Sequence, residues 1–455
     1  MSQRFTAIRA WMKTNPDTAA AAFFILLLTS PALLELLIVH PSVTRELAIL
    51  GGAFLLWAVA AVSIARRTNL TFQKAWMFLK KGGRVWELLL LAGWVVVLGI
   101  HVIIGRGINA RIPLGYFAFF LAVYLVDLFF AMTGRQDQQR WILYMIFAVF
   151  AFACFRGMFV LASNPEVARL MSTGYYPEAE KHLYHLLGVG GFEFFTGLAC
   201  VFPMLVYYRM ETPKLRFFTV CICLILLGML FAAYTLVIVF TGMGLLLLLT
   251  YSVIRLRGKE LRVLALLCVV LLVIISLFLA IGSALNLQQP KLYFIKINAL
   301  SVMVADRLFG IQLPVYDPGI ANQDLLGEGG SPAERVKLYA RSLETFLEHP
   351  LFGVGSRANT DDYSQVGLHS TWLDYLAMYG LPSFGLFLGF MAMMFRRLRR
   401  MLATRSEKAY RMVAFTIYLL YGLVNPVIAT AMFPVVLLFF ITGRVNLPGE
   451  EPAHV

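Results

Sequence analysis

The stretch Leu264–Leu279 reads LALLCVVLLVIISLFL and contains no charged residue. Together with its apolar flanks it reaches the length of about 20 residues that an α-helix needs to cross the hydrocarbon core of a bilayer. A strand of a membrane β-barrel would instead alternate apolar and polar residues over about ten positions. The stretch therefore predicts a transmembrane helix, and similar runs recur along the chain.

The composition of the whole chain supports a membrane protein. Hydrophobic residues make up 60% of 455 positions and charged residues 14%, and the mean hydropathy is +0.76. Soluble domains carry about 45–50% apolar and about 25% charged residues. The runs predict an all-α polytopic protein with about twelve spans: 19–39, 46–65, 86–104, 114–132, 141–162, 187–209, 215–232, 235–254, 261–283, 372–395, 409–424 and 427–443. Each of the tight pairs within 215–254 and 409–443 could instead be one long helix or a helix with a re-entrant piece.

The formal charge of +14 has a simple explanation in a membrane protein, because cytoplasmic loops collect Lys and Arg. With these spans, most basic residues fall on the side of both termini, including Arg84, Arg135, Arg140, Arg397 and Arg411. The opposite short loops hold only Arg45, Arg106, Arg111, Arg169 and Lys181. The pattern predicts cytoplasmic termini. No aromatic platform for nucleic acid is visible, so no such partner is expected.

Cysteines and short motifs indicate no cofactor. All five cysteines lie inside apolar runs, where we interpret them as small core residues. The chain has no P-loop, D-x-D or H-E-x-x-H motif, and neither a metal nor a nucleotide is expected. Met1–Thr18 is polar and shows no cleavable signal pattern, so we expect the first span to remain in the mature protein.

The spans divide the chain into three parts: nine spans over 1–283, a long loop over 284–371 on the outer side, and three spans with a cytoplasmic tail over 372–455. Within the loop, Ser331–Glu334 has the form of a capping box, and the helix it opens should end at His349-Pro350. A second helix is expected over 298–309. The segment 67–85 could be a helix on the membrane surface or a plain loop.

Five polar residues near the outer face are candidates for chemistry. Arg156 lies inside the fifth predicted span, where it either snorkels to the interface or faces a cavity suited to an anionic lipid head. Arg335 lies in the first turn of the amphipathic helix that Ser331–Glu334 opens, and it could bind phosphate or form a surface salt bridge. His369 could transfer a proton or be a hydrogen-bonded interfacial histidine. Arg106 and Arg111 share an outer loop and could be ordinary headgroup contacts.

Three stretches in and after the long loop carry a family pattern: Glu334–Tyr339, His349–Gly355 (HPLFGVG) and His369–Pro382 (HSTWLDYLAMYGLP). They resemble the O-antigen ligase and O-antigen polymerase superfamily. Its members carry an arginine on an amphipathic outer helix, an hP-[LI]-[LF]-G-x-G turn and an H-[NS]-x-x-L motif at the start of a span that continues G-[LI]-x-G.

The resemblance implies a GT-C-like all-α fold in the bacterial inner membrane, with the active site in the periplasm. The donor would be a glycan on undecaprenyl diphosphate, and the acceptor would be lipid A–core in a ligase or another lipid-linked repeat in a polymerase. By motif, Arg335 would bind the donor diphosphate and His369 would act as general base in an inverting transfer without metal or nucleotide. Tyr339, Arg156, Arg111 and Arg106 would be further substrate-binding residues.

One family feature is missing. The superfamily has a second arginine in an S-x-S-R-[GA] motif at the outer start of the eighth span, whereas the matching region here, Val239–Gly244, reads VFTGMG. Arg156 or Arg111 would have to supply that charge from another helix.

A transporter or flippase for a lipid-linked or anionic substrate is one alternative from another class, and a non-enzymatic scaffold is a further one. A transporter should place charged groups near the bilayer midplane and pair broken helices. The candidate charges here gather near the outer face, which favours chemistry on a lipid. Membrane lipids are expected partners under either interpretation.

Overall fold

The computed structural model describes residues 11, 13–29, 43–103, 114–163, 192–211, 217–255, 258–285, 332–355, 370–402, 404–425, 433–442 and 444–445, together with Val366 and isolated positions between 287 and 311. Within these ranges the chain is all-helical apart from one two-residue strand pair. The predicted all-α class is therefore confirmed.

The described residues before position 212 form seven helices: α1 (Pro16–Thr29), α2 (Val43–Arg67), α3 (Phe72–Lys81), α4 (Arg84–Ile103), α5 (Leu114–Met132), α6 (Gln136–Ser163) and α7 (Phe192–Glu211). The others are α8 (Phe217–Phe231), α9 (Thr235–Ile254), α10 (Gly258–Ala284), α11 (Pro332–Glu348), α12 (Thr371–Arg400), α13 (Arg405–Val424) and α14 (Phe433–Ile441). The strands β1 (Met401–Leu402) and β2 (Arg444–Val445) pair antiparallel.

Every predicted span coincides, in whole or in part, with a helix. Among the described residues, six helices are long and apolar enough to cross a membrane: Leu47–Arg67, Arg84–His101, Gln136–Ser163, Thr235–Ile254, Glu260–Ala284 and Thr371–Arg400. Shorter apolar helices are Pro16–Thr29, Ala118–Met132 and Phe217–Phe231. The chain is thus a multi-pass membrane protein, while the total of about twelve spans stays a prediction.

The two tight pairs are separate helices. Between α8 and α9 the chain turns at Ala232–Tyr234, where Ala233 has φ +55°. A non-glycine residue with positive φ cannot continue an α-helix. At the end of α13, Asn425 is extended at φ −152° and ψ 153°. The alternative of one long helix is therefore wrong for each pair.

The chain forms two compact units, one of residues 1–149 and 333–455 and the other of residues 150–332. In the first unit, α1 packs along α2, α4 along α12, and α5 along α14. Trp94 is fully buried in it. Its ring centroid lies 4.9 Å from that of Phe387, and its indole N–H donates to the Tyr375 hydroxyl. The three-part division at 283 and 371 stays a prediction.

In the second unit, α7 packs against α9, and α9 against α10. The C-terminal half of α6 passes close to α8, because a Cβ added at Gly228 would lie 2.6 Å from the Cβ of Cys154. Tyr293 is buried and its hydroxyl donates to the carbonyl of Leu230 at 3.0 Å. All five cysteines are free.

The segment 67–85 contains a helix rather than a plain loop. The Thr71 side chain accepts a hydrogen bond from the Lys74 N–H and so caps α3. Phe72 is 83% exposed and Trp76 is 43% exposed, and their rings stack with centroids 6.5 Å apart. This pattern is typical of a helix that lies on a membrane surface.

Several arginines that we expected in cytoplasmic loops are buried instead. Arg397 reaches Asp127 at 2.8 Å and Glu87 at 3.5 Å. Arg84 reaches the same Asp127 carboxylate at 2.9 Å. All four of these groups are under 5% exposed. Because the two positive and two negative charges balance, the cluster ties α4, α5 and α12 together without a net buried charge.

A second buried cluster joins α13 to α14. Arg411 has no exposed surface. It contacts Glu407 at 2.6 Å and donates to the carbonyls of Phe439 at 2.8 Å and Phe440 at 3.2 Å. Its position inside a predicted span is explained by these contacts, which satisfy the guanidinium where water is excluded.

Candidate functional site

The structure describes the predicted site residues to different extents. His369, Arg106 and Arg111 lie outside the described residues, as does most of the predicted helix 298–309. Arg335 lies in α11, but its side chain is not among those described. Arg156 and Tyr339 are described in full. The described part of the candidate site consists of α11, the HPLFGVG turn and the start of α12.

The predicted amphipathic helix is α11, and it ends where expected. The N–H of His349 donates to the carbonyls of Thr345 and Phe346, and Pro350 has no N–H with which to continue the helix. Arg335 stands in the first turn, three residues before Leu338 and four before Tyr339.

The two faces of α11 differ in exposure and in residue type. The face that packs on the protein carries Leu338, Ser342 and Thr345, and the two hydroxyl residues are fully buried. On the opposite face, Val336, Leu343 and Leu347 are 46–67% exposed. An exposed apolar stripe favours the membrane surface over the helix bundle as the surroundings of this face.

The HPLFGVG stretch is a tight turn between α11 and the middle of α12. The Gly353 N–H donates to the His349 carbonyl at 2.9 Å, and the Val354 N–H donates to the Ala377 carbonyl at 3.0 Å. In the opposite direction, the Leu381 N–H donates a hydrogen bond to the Pro350 carbonyl at 2.8 Å. The motif turn is thus locked onto α12 by backbone groups.

Glycine is required at two positions in this contact. Gly353 has φ +59°, and a Cβ there would overlap the backbone of Met378. Gly380, where α12 breaks, has φ +72°, and a Cβ there would overlap the backbone of Leu351. Only glycine allows both the positive φ and such close approach of two backbones. These contacts explain why the two motifs place glycine at these positions.

His101 anchors the same turn from α4, a role that the sequence did not indicate. The buried ring places Nε2 3.0 Å from the Phe352 carbonyl and Nδ1 2.8 Å from the Val97 carbonyl. A neutral imidazole carries one N–H, so the tautomer decides which of the two carbonyls accepts a hydrogen bond from the ring. A histidine near the end of a predicted span was the available signal.

The start of α12 is fixed by a buried carboxylate. Ser370 caps the helix by accepting from the Leu373 N–H at 3.3 Å. Asp374 accepts from the Ser370 N–H at 2.8 Å through Oδ2 and from the Ser342 hydroxyl at 2.6 Å through Oδ1. Asp374 is only 4% exposed. One side chain therefore joins the start of α12 to α11.

The end of α13 closes the same region. The Asn425 carbonyl accepts from the Thr371 hydroxyl at 2.9 Å and from the Thr371 N–H at 3.2 Å. The Tyr339 hydroxyl lies 3.5 Å from the Val424 carbonyl. The side-chain nitrogen of Asn425 is buried and has no hydrogen-bond partner in the described part of the chain. Helices α11, α12 and α13 thus meet at Ser370 and Thr371, where α12 begins.

Arg156 belongs to the other compact unit. It lies in α6, half-buried, with its guanidinium carbon 5.9 Å from the centroid of the Phe152 ring. Its convergence with Arg335 and His369 stays a prediction. Where the superfamily carries its second arginine, Thr241 is buried in α9 and donates to the Val237 carbonyl at 2.7 Å.

The described residues contain no group of three or more His, Cys, Asp or Glu arranged to hold a metal ion.

Comparison with known protein families shows which class of protein part of this chain is similar to. Residues 221–388 match the family model described as O-antigen ligase. The match confirms the resemblance to the O-antigen ligase and polymerase superfamily, and it covers Arg335, Tyr339, Asp374 and His369. The chain is therefore a multi-pass membrane protein with an O-antigen ligase-like region, which supports ligase- or polymerase-type function in general. The curated proteins contain no match to the chain.

Proposed function

We propose that this protein transfers an O-antigen glycan from undecaprenyl diphosphate to the lipid A–core oligosaccharide at the periplasmic face of the bacterial inner membrane. The observation that carries the proposal is the family match over 221–388, because it includes all three motif stretches. The packing of α11, the glycine turn and α12 against one another supports it, since it draws those stretches into one region of the protein.

In the proposed reaction, the acceptor hydroxyl oxygen attacks the anomeric carbon of the donor glycan. The bond from that carbon to the diphosphate oxygen breaks, and undecaprenyl diphosphate leaves with the electron pair. His369 takes the hydroxyl proton as general base. Arg335 stabilises the negative charge that develops on the diphosphate. One direct displacement of this kind inverts the anomeric configuration.

The remaining assignments are part of the same proposal. Tyr339 lies on the helix that carries Arg335, and Arg156, Arg111 and Arg106 would bind the lipid diphosphate. The long loop 284–371 would be periplasmic and both termini cytoplasmic, as the distribution of basic residues predicts.

Reconstitution tests the proposal and separates its alternatives. The purified full chain is placed in liposomes with undecaprenyl-diphosphate glycan and lipid A–core, without nucleotide or added metal. Glycan on lipid A–core is the expected product. Longer glycans on the polyprenyl carrier would show that the protein is a polymerase and not a ligase. Movement of the lipid-linked glycan across the bilayer, with no new glycosidic bond, would show that the protein is a transporter.

A further inference from the structure

The carboxylate of Asp374 is shared between the two motif elements that carry the proposed catalytic residues. Through Oδ1 it holds Ser342, which lies two helical turns after Arg335 on α11. Through Oδ2 it holds the N–H of Ser370, which belongs to the peptide bond joining His369 to Ser370. A single buried side chain therefore acts on both elements.

These contacts exceed what is needed to begin a helix. Ser370 already caps α12 through its own hydroxyl, as an N-cap serine does. In a capping box the acidic residue is the third residue after the cap, whereas Asp374 is the fourth, and its other oxygen binds a different helix. At 2.6 and 2.8 Å, both contacts lie within the normal range for O–H···O and N–H···O hydrogen bonds.

We propose that Asp374 is a positioning residue that sets the placement of His369 relative to Arg335 by tying the start of α12 to α11. The inference rests on the proposed function of these two residues. Asp374 touches neither the donor nor the acceptor in this account. Its removal should leave the diphosphate-binding arginine in place while loosening the alignment of base and leaving group, so the rate at saturating donor falls more than donor affinity does.

Substitutions on both sides of the contact test this role. Asp374→Ala removes both hydrogen bonds, and Ser342→Ala removes only the bond between helices. We expect transfer at saturating donor to fall about 100-fold and about 10-fold, because a misplacement near 1 Å costs about 10²-fold. The apparent KM for the undecaprenyl-diphosphate glycan should change by no more than about 2-fold, since binding common to ground and transition states is kept.

Asp374→Asn separates geometry from charge. Its amide oxygen can still accept from the Ser370 N–H, and its amide nitrogen can donate to the Ser342 oxygen, whose hydroxyl can rotate. We expect this variant to retain most of the activity that Asp374→Ala loses. Rates are expressed per mole of folded protein, because a loss of folded enzyme would also lower the rate without changing KM.

Thr345→Val is the matched control. Thr345 is buried on the same face of α11, but its hydroxyl bonds to the Arg341 carbonyl of its own helix, so transfer should stay within about 2-fold of wild type. The double variant Ser342→Ala/Asp374→Ala should be no slower than Asp374→Ala alone, because the coupling has already been lost.

Equal activity of Ser342→Ala and Thr345→Val, or additive losses in the double variant, would overturn the inference. So would Asp374→Ala with wild-type transfer per mole of folded protein. An inactive wild-type protein would instead overturn the proposed function. The two failures are therefore distinguishable.

Discussion

Gly380 in the break of α12 lies against the backbone of Leu351 so closely that no side-chain carbon fits between them. At this contact the glycine turn after α11 packs onto the span that follows His369. Because the contact is made by backbone atoms, it cannot adjust by a change of rotamer. Two sequence motifs that lie apart in the chain are thus parts of one rigid junction.

Gly380→Ala should therefore destabilise the protein strongly. Alanine at φ +72° and ψ 178° occupies a region that is essentially restricted to glycine and costs roughly 1–3 kcal/mol, to which the backbone overlap adds. Gly385→Ala in the same helix is the control, since its added Cβ meets nothing within 4 Å. Thermal unfolding of both variants in detergent is the measurement. Equal melting temperatures would contradict the role given to this contact.

Breaking the buried ion pairs of Arg397 with Asp127 and Glu87 should lower the free energy of unfolding by several kcal/mol, about 3–5. Arg397→Leu leaves the carboxylates of Asp127 and Glu87 short of a partner, and breaking a buried ion pair from one side costs about 3–5 kcal/mol. Arg396→Leu, one residue earlier and exposed, should change stability little. Denaturation of the purified variants measures the difference, and similar losses for both would show that the cluster is not a structural tie.

The contact between His101 and the motif turn should be needed for stability. His101→Phe keeps a ring of similar shape but removes the nitrogen that faces the Phe352 carbonyl, and a buried group left unsatisfied costs about 1–3 kcal/mol. The control is Ile100→Phe, at a neighbouring position that is 45% exposed. If His101→Phe melts at the wild-type temperature, the hydrogen bond at Phe352 does not hold the turn.

Helix α3 should lie at the membrane surface with its aromatic pair in lipid. A spin label on Phe72→Cys is expected to be accessible to dissolved oxygen, whereas a label on Lys81→Cys should be accessible to a water-soluble relaxation agent. Electron paramagnetic resonance in liposomes measures both accessibilities. Equal exposure of the two labels to the aqueous agent would place the helix in solvent.

Much of this fold is readable from the chain because bilayer thickness imposes a helix length on each apolar run. Helix α11 is equally predictable, since Ser331–Glu334 has the sequence form of a capping box and Pro350 cannot continue the helix. The pairing of Arg397 with Asp127 is not, because 270 residues separate the partners and no local pattern encodes the contact. Arg397 follows the predicted span 372–395, whereas Asp127 lies inside the predicted span 114–132.

The candidate site was only partly predictable for a related reason. The motifs predict catalytic roles for Arg335 and His369, but hydroxyl side chains such as Ser342 are too common to suggest a partner. Asp374 gave one signal, a carboxylate in the first turn of an apolar helix, where an unpaired charge is costly. Its hydrogen bonds to Ser342 and Ser370 depend on how α11 packs against α12, which no local pattern encodes.

The most direct test of the central claim compares two arginines and one histidine in the reconstituted transfer assay. With undecaprenyl-diphosphate glycan and lipid A–core, His369→Ala and Arg335→Ala should abolish transfer. Arg341→Ala, on the same helix and 3.7 Å from Glu344 in a solvent-exposed pair, should retain it. Full activity of either His369→Ala or Arg335→Ala, or no transfer by well-folded wild-type protein, would contradict the account.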